Sequence, residues 1–326
     1  DGAVNVPLFS NREREVVGTL FRHFGGSPAR GWGLERVRAR LQAFTRELLA
    51  ALRLDGTPPG LPLDPSRPRV IVCARGGERS AAVTAHLRSL GYPVQRLVGG
   101  YRAHRARVRG LLGSFAPPGI VVLNGLTGCG KTRVLREVAR RYPGRVIDLE
   151  GLAGHRSSLL GDIGLKPVPQ KAFESRLVAV LEGLEGPWTL IEWEARRIGD
   201  RELPATLYRA MRAAPQVELV APMERRIEIL CEEYGAGDGL EEIRRRLPAL
   251  APYPRIGEEG VLELEGLLEA GRAGEAARLL LERHYDPRYR HGNRALRLIR
   301  RLELGSFADT AARVVSAMDE LRESLA

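Results

Sequence analysis

Cysteine is scarce in this sequence. Cys73, Cys129 and Cys231 fit neither a disulfide framework nor the spacing of metal ligands. Long hydrophobic runs are also missing, since no stretch of about 18 uninterrupted apolar residues is present to cross a bilayer. These absences exclude a disulfide-stabilised secreted fold and a membrane-spanning protein. We expect a protein of the reducing cytoplasm with no membrane partner.

Positive charge is in excess. The sequence has 51 Lys and Arg residues, almost all of them Arg, and 40 Asp and Glu residues. This gives a formal net charge of +11. Such a balance favours a polyanionic partner such as nucleic acid. An arginine-rich genome would produce the same bias, so charge alone leaves this open.

The order of predicted elements divides the 326-residue chain into modules. Amphipathic helices are expected over residues 10–54. A loop rich in proline and glycine then leads to strand 69–73, helix 79–90, strand 93–97 and a helix from residue 101. After a break at 113–119, strands are expected at 120–124, 145–149, 188–193 and 216–220, and only helices from residue 223 onward. Alternating strands and helices indicate parallel sheets, and we predict domains over 1–115, 116–235 and 236–326.

The most specific motif is "GLTGCGKT", which matches the P-loop pattern between the apolar strand "IVVLN" and the helical "KTRVLREVARRY". A plain glycine-rich turn is the alternative. Backbone N–H groups and a helix N-terminus would surround a phosphate, with the lysine on its terminal oxygens and the threonine on Mg²⁺. The predicted phosphate-binding residues are Gly125, Thr127, Gly128, Cys129, Gly130, Lys131 and Thr132. The candidates for an acid at the end of a neighbouring strand, or for a Mg²⁺ ligand, are Asp148, Glu192 and Glu194.

A second loop, "CARGGERS", joins a strand to a helix. Cys73 and Arg79 are separated by five residues, two of them glycine, so the loop amides are expected to point inward and form an anion site. Amides, helix dipole and arginine together would lower the pKa of the thiol and make it a nucleophile. A buried structural cysteine is the alternative. The loop residues predicted to contact the anion are Ala74, Arg75, Gly76, Gly77, Glu78 and Ser80.

Together with "GYPVQRLVGGYRAHR", this loop resembles the active-site loop of rhodanese domains, in which the cysteine carries a persulfide or related adduct. Sulfurtransferases of that fold mostly have four residues between Cys and Arg. The five found here also resemble arsenate reductases and dual-specificity phosphatases, so spacing alone leaves a phosphatase open.

The order of the two loops resembles the tRNA 2-selenouridine synthases, in which a rhodanese-like domain precedes a P-loop domain. Further similar blocks are "GAVNVPLFSNREREVVGT", "DLEGLAGHRSSLLG", "PQKAFESRL", "IEWEARRIGD", "APMERRIEIL" and "HYDPRYR". The resemblance covers roughly residues 2–290. It implies an α/β fold, with an N-terminal rhodanese-like parallel-sheet domain, a P-loop NTPase-like α/β domain and a helical C-terminal region. Two departures stand out: the first rhodanese strand is expected before Asp1, and Ala195 replaces a serine of the family pattern.

The resemblance implies a two-step transferase acting on the wobble uridine of tRNA. 2-Thiouridine would first be alkylated on sulfur with geranyl diphosphate, and the S-geranyl group would then be replaced by selenium from selenophosphate. The P-loop would bind the diphosphate of geranyl diphosphate, and it would do so without hydrolysing ATP. The cysteine loop would bind selenophosphate or hold the selenium. Lys131, Cys73 and Arg79 are the implied catalytic residues, and an enzyme that supplies selenophosphate is an implied partner. The sequence leaves the oligomeric state undetermined.

Several weaker candidates for substrate or tRNA contact have structural alternatives. These candidates are His155, Arg156, Arg196, Arg197, Tyr285 and Tyr289. Each of them could instead belong to a surface turn, cap a strand or pack at a helix end. The arginine-bearing stretches "IRRRL" and "RALRLIRRL" are expected to be helices that track phosphates or are simply solvated.

Two other functions fit parts of the pattern. One is a rhodanese-linked P-loop NTPase or kinase acting in sulfur transfer, and the other is a non-enzymatic adaptor that uses both folds for binding.

Overall fold

The computed structural model describes residues 3–54, 56–60, 68–75, 77–115, 117–235, 239–288 and 297–324. The chain forms two compact units, Asp1–Arg107 and Val108–Ala326. This division falls inside a helix, ahead of the 113–119 segment in which we predicted the boundary. Among the described residues, no helix combines the length and apolar character needed to span a bilayer.

The first unit alternates helices with two short parallel strands. The region predicted to be helical, 10–54, contains three helices: α1 (Asn11–Phe24), α2 (Gly26–Ala39) and α3 (Leu41–Ala51). Then follow β1 (Val70–Ile71), α4 (Glu78–Ser89), β2 (Gln95–Arg96) and α5 (Gly100–Ser114), which crosses into the second unit. β1 and β2 pair in parallel, which confirms the predicted β–α–β order. The unit's core includes Phe44, Leu48, Leu87 and Val94. The rhodanese-like assignment stays a prediction.

The second unit is built on a five-stranded parallel sheet. Its strands are β3 (Ile120–Asn124), β4 (Val146–Ile147), β5 (Thr189–Glu192), β8 (Pro215–Val220) and β9 (Arg297–Glu303), in the spatial order β4-β5-β3-β8-β9. A separate antiparallel pair is formed by β6 (Arg197–Ile198) and β7 (Arg201–Glu202). β3 lies at the centre of the sheet, so the loop that follows it opens at the carboxyl edge, where open α/β sheets bind ligands.

Helices cover both faces of this sheet. They are α6 (Lys131–Arg141), α7 (Leu149–Ala153), α8 (Gln170–Glu182), α9 (Ala205–Ala213) and α14 (Phe307–Glu323). The helix α10 (Met223–Tyr234) follows β8. Val121 and Leu123 of β3 pack in one core cluster and Val122 packs in the other. Because alternate residues of a strand face opposite sides, a strand buried on both faces has a continuous apolar run such as "IVVLN".

Residues 239–288 form a helical lobe. It contains α11 (Gly239–Arg246), a 3-10 turn (Leu247–Leu250), α12 (Gly257–Glu269), α13 (Ala273–Leu280) and a π-helical turn (Leu281–Tyr285). Leu247, Leu250 and Leu264 lie in its apolar core. The prediction of helices is correct here, including "IRRRL" in α11.

The helix predicted for "RALRLIRRL" is wrong. Residues 297–303 form β9, which pairs in parallel with β8. Between the Gln216–Leu298 and Val217–Arg300 pairs the register skips one residue of β9. The extra residue, Ile299, and Leu302 both pack into the core beneath the sheet. This bulge produces apolar positions three residues apart, a spacing that also indicates a helix. Region 236–326 is therefore not entirely helical.

Candidate functional site

The phosphate loop follows β3 and has almost no space for side chains. A Cβ atom on Gly125, where φ is +149°, would lie 2.4 Å from the carbonyl oxygen of Leu219 and 2.6 Å from Cys129 Sγ. Asn124 fixes the start of the loop, because its side chain accepts from the Gly125 amide (2.8 Å) and donates to Gln216 (3.0 Å). Cys129 is buried under the loop. The start of the loop is therefore packed closely against the end of β8 and Cys129.

Lys131 and Thr132 occupy the first turn of α6, at the mouth of the loop. Lys131 Nζ donates to the carbonyl oxygens of Gly125 (2.8 Å) and Leu126 (3.2 Å). Thr132 Oγ1 lies within hydrogen-bond distance of carboxylate oxygens of Glu150 (3.1 Å) and Glu192 (3.3 Å). The cation and the hydroxyl thus lie where a P-loop presents them to phosphate oxygens and a bound metal ion.

The predicted acids have different surroundings. Glu192 is fully buried at the end of β5, contacts Thr132 and accepts from the Glu150 amide (2.8 Å). Burial, followed by the charges of Glu150, Asp148 and Glu194, raises the pKa of Glu192 well above its ordinary value. Burial and the Glu194 charge also raise the pKa of Glu150. Asp148 caps α7 through the Gly151 amide. Glu192 is therefore the predicted acid in direct contact with the P-loop threonine.

A cavity of about 570 Å³ runs from the phosphate loop into the helical lobe. One end is polar and includes Thr127, Gly128, Lys131, Thr132, Glu150 and Arg197. The rest, which we call the apolar slot, is lined mainly by aliphatic side chains, among them Leu159, Leu230, Ile243, Leu247, Leu264 and Ala277. The cavity therefore fits a ligand with an anionic head and an apolar body.

Aromatic side chains line another part of the slot. His284 lies between Tyr253, with ring centroids 4.5 Å apart, and Tyr285, 4.9 Å away, and all three contact the cavity. The Arg288 guanidinium lies over the Tyr253 ring. We call Tyr253, His284 and Tyr285 the aromatic wall. It brings the predicted Tyr285 to the same cavity as the phosphate loop.

The other weak candidates divide between the cavity and its surroundings. Arg156 and Arg197 line the cavity, and Arg156 also stacks over Tyr234. His155 is buried against Gly161 and Gly199. Its pKa is lowered, with burial as the main cause, so it is held neutral near pH 7. Arg196 instead forms an exposed ion pair with Glu202. Tyr289, like Gly76 of the cysteine loop, lies outside the described residues.

In the first unit, the Cys73 sulfur lies near several hydrogen-bond donors and also, at 3.7 Å, near the Arg75 carbonyl oxygen. The Ser80 hydroxyl donates to the sulfur at 3.5 Å. Burial acts to raise the pKa of this thiol, but the Ser80 side chain and the amides of Ser80, Arg75 and Gly77 lower it to about 7. Arg79 lies in the first turn of α4. About half of the Cys73 thiol is therefore ionised near pH 7. The role of Arg79 stays a prediction.

The pair Gly99–Gly100 packs closely against the backbone of the cysteine loop. A Cβ atom on Gly100 would lie 2.0 Å from the Arg75 carbonyl oxygen and 2.7 Å from that of Cys73. The Tyr101 amide donates to the Cys73 carbonyl oxygen at 2.7 Å. These contacts explain why "VGGY" accompanies "CARGGERS", since only glycine allows the start of α5 to approach so closely.

Cys73 should react with iodoacetamide at a rate that rises with pH with a midpoint near 7, because the thiolate is the nucleophile. Ser80→Ala removes one stabilising hydrogen bond and should move the midpoint upward. Cys231 is an internal control, since burial raises the pKa of its thiol. Peptide mapping by mass spectrometry over a pH series measures both sites. A Cys73 midpoint at about 8.5, the value of an unperturbed thiol, would contradict the described hydrogen bonds.

Three residues with clear structural roles were not singled out from the sequence. Glu150 contacts Thr132, and its only signal was its position two residues after Asp148. Arg226 and Asp286 form a buried ion pair beside the phosphate loop. Each lies in one of the quoted blocks, but nothing in either block indicates the pairing.

Comparison with known proteins gives concordant matches. The family model described as "tRNA 2-selenouridine synthase AAA domain" matches residues 118–249. The chain is 32% identical to a tRNA 2-selenouridine synthase of Cronobacter sakazakii, over 89% of this chain and 82% of that protein. It is 33% identical to a protein of the same name from Cupriavidus necator, over 88% of this chain and 82% of that protein. It is also 33% identical to a protein of the same name from Cupriavidus pinatubonensis, over 94% of this chain and 89% of that protein.

Proposed function

The chain belongs to the tRNA 2-selenouridine synthase family, and we propose that it converts wobble 2-thiouridine of tRNA to 2-selenouridine in two transfers. In the first, geranyl diphosphate alkylates the sulfur. In the second, selenium from selenophosphate replaces the S-geranyl group. The observation that carries this proposal is the continuity between the phosphate loop and the apolar slot.

The cavity supports geranyl diphosphate as the first co-substrate. The diphosphate would lie against the loop amides and Lys131, and the ten-carbon chain would lie in the apolar slot. Burying each CH₂ contributes about 0.8 kcal/mol, so the slot would supply much of the affinity. A nucleoside triphosphate would gain little there, because its sugar and base carry many polar groups.

The alkylation transfers the geranyl group from oxygen to sulfur. The thione sulfur attacks C1 of the geranyl group, the C1–O bond breaks, pyrophosphate leaves, and the uracil N3–H proton is released. Lys131 and the loop amides stabilise the negative charge that develops on pyrophosphate. Mg²⁺ fits Thr132 and the carboxylates that contact it, because this ion usually takes one or two carboxylates together with phosphate oxygens and water. When bound, it would neutralise further diphosphate charge.

The selenation uses the cysteine loop. Alkylation makes the C2 substituent a better leaving group than a bare thione sulfur. Selenium bonds to C2, the C2–S bond breaks, geranylthiol departs, and water cleaves the P–Se bond to release phosphate. The amides that lower the pKa of the Cys73 thiol also suit the tetrahedral anion selenophosphate. Cys73 would either help to hold selenophosphate for this step or attack its phosphorus, which frees selenide for C2 and leaves an S–P bond that water cleaves to release phosphate; Arg79 would assist.

Reconstitution tests the proposed function. Purified protein is incubated with thiolated tRNA, geranyl diphosphate and selenophosphate, and nucleosides are analysed by mass spectrometry. We expect S-geranyl-2-thiouridine without selenophosphate and 2-selenouridine with it. Absence of both products would overturn the proposal. Phosphate release from ATP that depends on Lys131 and ignores selenophosphate would instead favour the NTPase or kinase alternative.

Ala277→Phe should narrow the apolar slot, because Ala277 is half-buried and lines it. Exclusion of even two carbons of the chain should weaken geranyl diphosphate binding about tenfold, with pyrophosphate binding unchanged. Isothermal titration calorimetry with both ligands measures the difference. Ala270→Phe, at an exposed position after α12, is the matched control. Equal weakening of both ligands by Ala277→Phe would mean that the slot does not hold the chain.

A further inference from the structure

The buried ion pair of Arg226 and Asp286 connects two elements that are distant in sequence. The Arg226 guanidinium donates to both carboxylate oxygens of Asp286, at 2.9 and 2.6 Å. The residues are only 4% and 8% exposed. Replacing such a pair by apolar residues of similar volume is often neutral or stabilising, so stability alone is a weak explanation for it.

At one end, this pair holds the phosphate loop. Arg226 Nε donates to the carbonyl oxygen of Thr127 at 2.8 Å. The backbone of α10 also approaches closely, since a Cβ atom on Gly128 would lie 2.9 Å from the Arg226 carbonyl oxygen. Both Thr127 and Gly128 line the polar end of the cavity. Arg226 therefore holds a loop segment that lines the polar end of the cavity.

At the other end, the pair holds the aromatic wall. Asp286 directly follows the π-helical turn that carries His284 and Tyr285. A π-helical turn inserts one extra residue into a helix, and such turns are frequent at functional sites. The two bonds from Arg226 hold the residue at its end.

We infer that Arg226 and Asp286 are positioning residues that couple the diphosphate site to the aromatic wall of the slot. Binding of a diphosphate fixes the Thr127 segment, and the ion pair transmits that order to residues 281–288. The aromatic wall of the slot is then more ordered when the head group is in place. This inference rests on the proposed function and adds a coupling between its two subsites.

Hydrogen exchange with inorganic pyrophosphate as the probe tests this coupling in the full chain. Pyrophosphate should slow amide exchange in residues 125–132 and also in residues 281–288. In the double variant Arg226→Met/Asp286→Val, which removes both charges together, protection of 125–132 should persist and protection of 281–288 should be lost. Thermal melting checks that this variant is folded.

Arg278→Met/Glu224→Gln is the matched control. That exposed pair also joins α10 to the helical lobe, at 3.0 Å, but does not contact the phosphate loop. In this control variant, pyrophosphate should still slow amide exchange in residues 125–132 and in residues 281–288.

The outcomes separate the two proposals. If pyrophosphate protects 125–132 but not 281–288 in the wild type, or if the folded Met–Val variant keeps both protections, the coupling is wrong and the proposed function stands. If pyrophosphate protects neither segment, the phosphate site is wrong and both proposals fail.

Discussion

Lys131→Met is expected to lower kcat/KM for geranylation by about a hundred- to a thousandfold, the usual effect of removing one group that stabilises developing charge. Lys131 is the P-loop cation at the mouth of the phosphate loop, and its ammonium group already lies 2.8 Å from the Gly125 carbonyl oxygen. Methionine preserves the length of the side chain but supplies no charge to departing pyrophosphate. The rate is measured by mass spectrometry of S-geranyl-2-thiouridine.

Lys171→Met is the control for loss of one positive charge, because Lys171 is exposed on α8. It should keep the wild-type rate. Lys131→Met should also still convert tRNA that has been geranylated beforehand, since the second transfer does not use the phosphate loop. Geranylation by Lys131→Met within tenfold of the wild type would show that the loop does not activate the diphosphate.

Contiguous parts of the candidate site could be predicted from the sequence. The loop from Gly125 to Thr132 is one segment between a buried strand and a helix, so its pattern specifies both chemistry and position. The same holds for the cysteine loop, where Cys73, Gly77 and Ser80 lie within eight consecutive positions. Local backbone geometry decides both structures, and glycine spacing reports it directly.

Contacts between distant segments could not be predicted in this way. Arg226 and Asp286 are 60 residues apart, and Asn124 and Gln216 are 92 apart. The apolar slot has a related difficulty. Its leucines lie on amphipathic helices, whose pattern is the same whether the faces close on each other or leave a cavity. In β9, a bulge at Ile299 changed the apparent periodicity from strand to helix.

Cys73→Ser is expected to stop selenation and leave geranylation intact, so that S-geranyl-2-thiouridine accumulates. Every residue assigned to the phosphate loop and slot belongs to Val108–Ala326, whereas Cys73 belongs to Asp1–Arg107. Serine keeps a hydrogen-bonding group in the loop, but its hydroxyl is not ionised near pH 7 and is a weak nucleophile. Selenation should fall at least about a hundredfold, the scale of losing one group that acts at the reacting atoms.

The measurement compares both nucleosides by mass spectrometry after incubation with all three substrates. Ser89→Ala, which removes an exposed hydroxyl of α4 outside the cysteine loop, is the control and should give wild-type selenation. Ser80→Ala should fall between them, because it raises the thiol pKa without removing the sulfur. If Cys73→Ser selenates tRNA at the wild-type rate, the thiol is not needed, and the cysteine loop would serve only for binding. If it loses geranylation as well, the two transfers are not divided between the loops as we propose.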